Sequence, residues 1–253
     1  MELTWVTYLI VCPLVFLAGL IDSVAGGGGL ISLPAYMAAG LPPLQAAGTN
    51  KLSACLGTVA STTRFVRDRK VDWKAGIFAA FGAFPGSWLG ALLQQHIPQD
   101  TIRLLMIVAI PVVAVVVLRK KDMNGRCLVT ETMYRPTAFG IGLLIGFYDG
   151  LIGPGTGTFL ILLFTMLLGM EAVMASGTAK IVNLTSNVAA LASYLTNQPE
   201  NVVFALALPA ALCGIVGNWL GASLTVKKGV GFIRWMLLVV LVLLLAKMVV
   251  DVL

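Results

Sequence analysis

Two lysines, two aspartates and two glycine-rich runs lie in stretches that are otherwise almost wholly apolar. Lys51 follows Gly48, Thr49 and Asn50, and Lys180 follows Gly177, Thr178 and Ala179. Counted from Pro43 and Ala172 at 1.5 Å per residue, each lysine lies about 12 Å along a helix, near the middle of a ~30 Å hydrocarbon layer. An ammonium at that depth costs roughly 3 kcal/mol on insertion, so it must face inward and have a partner. Two of them at equivalent positions suit a cavity that accepts negative charge. Thr49, Asn50, Thr178 and Asn183 lie within a turn of the lysines and could donate to oxyanion oxygens. The alternative is pairing with Asp22 and Asp149, the only acids deep in apolar segments, and the two arrangements can alternate during a transport cycle.

Asp22 and Asp149 themselves have three readings. They can cap a helix, bind the amides of the glycine runs, or couple protons, because desolvation favours the neutral carboxylic acid. Just beyond them come Gly26-Gly27-Gly28-Gly29 and Gly153-Pro154-Gly155-Thr156-Gly157. Such breaks inside hydrocarbon expose backbone groups that protein, water or a ligand must satisfy. Short helices starting there would aim positive dipole ends at a common midplane, the arrangement of an anion site. Close packing of small residues between helices is the competing explanation.

The elements that hold these residues belong in a membrane. Of 253 residues, 58% are hydrophobic and 11% charged, against roughly 25% charged in soluble domains. With a mean hydropathy of +0.95, polar surface is too scarce for a soluble enzyme, a disordered chain or a secreted module. Met1-Glu2-Leu3-Thr4 lacks the basic start of a removable signal peptide. Long apolar segments fall near 4–24, 43–64, 74–95, 101–119, 136–153, 174–195, 202–224 and 231–251, with shorter ones near 29–39 and 157–169. The chain also repeats itself. Gly19-Leu20-Ile21-Asp22 answers Gly146-Phe147-Tyr148-Asp149, and the two Gly-Thr-x-Lys motifs answer each other. Gly86-Ser87-Trp88-Leu89-Gly90-Ala91 answers Gly217-Asn218-Trp219-Leu220-Gly221-Ala222, and Ile102-Arg103 answers Ile233-Arg234. The order and near-constant offset make each half one repeat: residues 1–122 and 136–253, with a linker at 123–135.

Of the 17 basic residues, 13 fall within 64–74, 119–135 and 225–234, which the positive-inside rule assigns to the cytoplasm. The loops near 98–101 and 196–201 are neutral or acidic. Equivalent loops of the two repeats thus differ in charge and lie on opposite sides, the mark of an inverted-topology repeat. The expected fold is an all-α integral membrane protein of two inverted repeats. Each has about five segments, making about eight long helices and two short or broken ones.

The remaining candidates carry little. Cys12, Cys55, Cys127 and Cys213 lack any metal or disulfide spacing. His96 is a lone residue at a helix end, and the basic loops report orientation, not nucleic acid. Walker, HExxH and nucleophile-elbow motifs are absent from the sequence, so neither a cofactor nor enzymatic chemistry is expected.

The Gly-Leu-Ile-Asp-Ser-Val-Ala-Gly-Gly-Gly-Gly run from Gly19 to Gly29, the Gly48-Thr49-Asn50-Lys51 motif and their echoes resemble the sulfite exporter TauE/SafE family of bacterial membrane permeases. The resemblance spans essentially the whole chain. It implies transport of small sulfur oxyanions or organosulfonates such as sulfite or sulfoacetate. It places the family's glycine motif on Gly26–Gly29 and its Gly-Thr-Asn motif on Gly48, Thr49 and Asn50. The second half departs from this pattern at Pro154, Thr156 and Ala179. The expectation is a secondary exporter in the bacterial inner membrane, working by alternating access about a midplane site. Lys51 and Lys180 would neutralise the anion, and Asp22 or Asp149 would couple a proton or hold the empty site. A thiosulfate-type importer and a passive anion channel are the alternatives. The expected partners are the anion, the lipid bilayer and a second copy of the chain.

Overall fold

The computed structural model describes residues 4–98, 101, 104 and 127–252. The segment at 101–119, the Ile102-Arg103 match and the basic residues at 119–126 therefore lie outside the described residues, apart from isolated positions. Everything described is helix or short connection, with no strand among the described residues. In chain order the helices are α1 Trp5–Ala25, α2 Gly29–Ala38, α3 Pro43–Arg67, α4 Trp73–Gln94, α5 Glu131–Leu151, α6 Thr156–Leu167, α7 Ala172–Asn197 and α8 Phe204–Val252. Two boundaries differ from the sequence reading. α5 starts at Glu131, inside the stretch read as a linker. At 225–234 the helix runs on through the basic residues and breaks only at Gly229 (φ 69, ψ −154), so no open loop forms there.

Among the described residues, three helices are long and apolar enough to span a membrane by composition: Trp5–Ala25, Trp73–Gln94 and Phe204–Gly229. α3 and α7 are long enough but carry Asn, Thr, Ser and the two lysines. They are shielded inside the bundle, where Lys51, Lys180, Asn50, Asn183 and Asn187 are all buried.

Helix direction follows from the residue pairs in contact. Val15, Phe16 and Leu20 of α1 meet Gly214, Gly217 and Gly221 of α8 in the same order. Ser53, Gly57 and Arg64 of α3 likewise meet Gly214, Asn218 and Trp219. Gly82, Gly86 and Gly90 of α4 lie on the carbonyls of Phe139, Leu143 and Phe147 of α5. Along α7, Asp72, Ser87 and Gln95 bond Thr178, Ser186 and Ser193. By contrast, α3 and α7 cross head to tail, with Gly48 near Tyr194 and Phe65 near Gly177. So α1, α3 and α8 point one way, and α4, α5 and α7 the other.

Glycine makes the α4–α5 and α1–α8 seams possible. A methyl on Gly82, Gly86 or Gly90, or on Gly217 or Gly221, would overlap a carbonyl of the neighbouring helix. Small residues thus bring backbones together where lipid supplies no hydrophobic drive between helices.

Among the described residues, the basic side chains other than Lys51 and Lys180 gather at one end of this bundle. Lys74 bridges to Glu131 at 2.6 Å, Arg64 stacks over Trp219, and Lys70 abuts Gly177. At the opposite end Tyr8 donates to Ala205 O and Gln198 to Gln95 O.

Candidate functional site

Each half contains a glycine-rich break just after its aspartate, and these two breaks meet. α1 ends where Gly26 takes a left-handed conformation (φ 76) and its N–H returns to Asp22 O at 2.8 Å. α5 ends before Gly153 and Gly155, with φ of 91 and 81. A side chain at these angles is strained, which is why glycine stands there. The backbone of Gly26 packs directly on that of Gly157, and Thr158 Oγ1 donates to Ala25 O at 2.6 Å. From these breaks the short helices α2 and α6 turn back: Tyr36 packs with Val11 and Val15 of α1, and Leu167 O accepts from Leu128 N before α5.

Both lysines pair with the aspartate of the other half. Lys51 Nζ donates to Asp149 Oδ2 at 2.7 Å, to Asp149 O at 2.9 Å and to Asn187 Oδ1 at 3.3 Å. Lys180 Nζ donates to Asp22 Oδ2 at 2.6 Å. Each aspartate also serves its own break. Asp22 Oδ1 accepts from Gly28 N, while Asp149 accepts from the hydroxyls of Thr156 and Ser186. Helix capping and charge pairing, alternatives in the sequence, are combined here in one carboxylate.

Beside the breaks lies a cavity of about 60 Å³. At about 30 Å³ of liquid volume per molecule it holds about two waters. Among the residues expected at a site, Asp22, Gly26, Gly28, Gly29, Asn50, Lys51, Asp149, Gly153, Thr156, Gly157 and Asn183 wall it. Gly27, Thr49, Gly155, Thr178 and Lys180 lie off the wall. Thr49 and Thr178 have matching tasks elsewhere: Thr49 Oγ1 accepts from Val203 N and Thr178 Oγ1 from Asp72 N, each just before the last described helix of its half. Gly48 and Gly177 abut the same two connections, at Asn201 and Lys70.

A sequence model described as "Sulfite exporter TauE/SafE" matches residues 11–248. The chain belongs to the sulfite exporter TauE/SafE family. Three similar relatives are each 34% identical and span 93% of this chain. They are the "Probable membrane transporter protein YfcA" of Escherichia coli, "Probable membrane transporter protein ORF9" of a Sinorhizobium species, and a "Probable membrane transporter protein" of Haemophilus influenzae. The chain covers 87%, 90% and 92% of them, respectively. No solved structure matches. The chain is thus a multi-pass membrane transporter of the TauE/SafE family.

In this TauE/SafE chain the cavity also has walls that motif reading missed: Ala54, Thr58, Asn187 and Asn218. Helical period would have found most of them. Ala54 and Thr58 follow Lys51 by three and seven residues, and Asn183 and Asn187 follow Lys180 by the same steps, one face of each helix. Asn218 is the polar member of the repeated Gly-x-Trp-Leu-Gly-Ala piece.

Proposed function

We propose that this protein carries sulfite-sized sulfur oxyanions across the bacterial inner membrane, with export as the working direction and the basic end in the cytoplasm. One observation carries the reading: a small, partly open cavity, placed where two helix breaks meet, walled by Lys51, Asn50, Asn183 and Asn187. A tetrahedral or pyramidal oxyanion needs several converging donors, which amides and an ammonium supply. The cavity's volume suits sulfite or thiosulfate.

Alternating access would follow from two inverted repeats. Helix direction supports this, since each helix runs opposite to its counterpart: α1 to α5, α3 to α7, and α4 to α8. The basic end supports a cytoplasmic assignment. In this reading Asp22 and Asp149 hold the empty site and supply the coupling proton.

Calorimetric titration of purified protein with sulfite, thiosulfate, sulfate and sulfoacetate tests the proposal. The smaller anions should bind, and Lys51→Ala should abolish binding. If none binds, or if Lys51→Ala binds as well as wild type, the cavity is not an anion site. A channel would instead give flux into vesicles without accumulation.

A further inference from the structure

The two ion pairs are equivalent in sequence but not in setting. Lys51 and Asp149 both wall the cavity, whereas Lys180 is fully buried and off the wall, behind Asp22. We propose that Asp149 is a built-in competitor for the transported anion. Its carboxylate occupies Lys51 until an oxyanion replaces it, and the displaced Asp149 then takes up one proton. The inference rests on the anion-transport reading above and assigns the coupling proton to one residue.

An ammonium has three donors. Those of Lys51 are engaged by Asp149 Oδ2, Asp149 O and Asn187 Oδ1. An incoming anion must therefore displace one of them, and exchange against the carboxylate keeps an anionic oxygen on the ammonium. Displacement leaves Asp149, whose side chain is 5% exposed, without its cation. A buried carboxylate without a counter-ion is strongly unfavourable, and protonation removes the charge. The hydroxyls of Thr156 and Ser186 contact both carboxylate oxygens and can rotate to accept from the acid.

No second cation stands ready to replace Lys51 among the described residues. Facing the pair, α3 adds Cys55, one turn from Lys51, and α5 adds Tyr148, whose hydroxyl donates to Pro154 O. α1 adds Asp22, already held by Lys180 of α7. From α4, Ser87 reaches Ser186, and α8 contributes Asn218. The loaded site thus holds the anion and one proton together. A divalent oxyanion leaves as a monovalent load, still driven outward by an inside-negative potential.

The test is proton-counted calorimetry at pH 7, titrating thiosulfate, sulfate and sulfite in buffers of different ionisation enthalpy. Wild type and Asp149→Asn are compared, so that the anion's own protonation cancels. Wild type should take up about one proton more per anion than the variant. If Lys51 is free in only about 1–10% of wild-type molecules, freeing it tightens apparent binding about ten- to one-hundredfold in Asp149→Asn. A merely structural Asp149 would instead make binding weaker or leave it unchanged. Equal proton counts, or affinity that does not rise, overturn the proposal. If Asp149→Asn is not monodisperse, thiosulfate binding to wild type decides: about one proton upholds it and none overturns it. If no anion binds wild type, the transport reading falls first and this inference with it.

Discussion

Gly26 and Gly29 stand three residues apart in one glycine run, yet alanine should have opposite consequences at the two. At Gly26 the backbone is left-handed (φ 76), and a methyl would overlap the Gly157 backbone. The reciprocal methyl on Gly157 would sit 2.5 Å from Gly26 Cα, where ordinary contact begins at 3.4 Å. Left-handed strain contributes about 1–2 kcal/mol. Overpacking that forces the breaks apart by about 1 Å contributes about 1–3 kcal/mol more. The sum, about 2–5 kcal/mol, corresponds to a fall in Tm of about 4–20 °C at roughly 2–4 °C per kcal/mol. At Gly29 the angles are ordinary and the nearest atom to an added methyl is Pro154 Cα at 3.5 Å, so Gly29→Ala should hold within about 0.5 kcal/mol of wild type. Detergent-solubilised protein, heated while following intrinsic fluorescence and monodispersity, reads both. Equal Tm for the two variants would refute the claim that contact between the breaks demands the first glycine.

Lys180→Met should destabilise by about 3–5 kcal/mol because it leaves Asp22 without its cation. Adding Asp22→Leu should recover most of that loss, and chemical denaturation of the single and double variants reads the coupling. Asn187→Leu, losing one cavity hydrogen bond of about 1.4 kcal/mol, should weaken thiosulfate binding about tenfold without changing Tm by more than a few degrees. Unaltered affinity would remove Asn187 from the site. Thr49→Val and Thr178→Val should each cost about 1–3 kcal/mol of stability by orphaning the amide before α8 or α4. Thiosulfate affinity should stay within twofold of wild type, and a selective loss of binding would place these threonines at the anion instead.

Much of the architecture is legible from composition and repetition. The boundaries of the short helices fall within a residue or two of the apolar pieces after each break, because glycine with positive φ ends the preceding helix. Equivalence of the halves is visible in Asp22 and Asp149, and in Lys51 and Lys180. What could not be read is which charge meets which. A pairing across 98 residues depends on how the two halves come together at their breaks, and nothing local encodes that. The Gly-Thr motifs mislead for a related reason. Their position beside the lysines suggests anion contact, but the threonine oxygens face the connections entering α4 and α8. The asparagines of α7 show the reverse case. Helical period alone puts Asn183 and Asn187 on the face of Lys180, and the cavity lies there.

The exchange of partners between halves also shapes how the chain is made. Lys51 precedes Asp149 by 98 residues and Asp22 precedes Lys180 by 158. At about 5–20 residues per second, Lys51 waits about 5–20 s after synthesis for its carboxylate, and Asp22 about 8–30 s for its ammonium. During that interval the nascent first half holds an unmatched acid and base that hydrocarbon rejects, with its glycine break unsupported until Gly157 emerges. Placing α1 and α3 in lipid before the second half arrives would cost roughly 3 kcal/mol per unmatched charge.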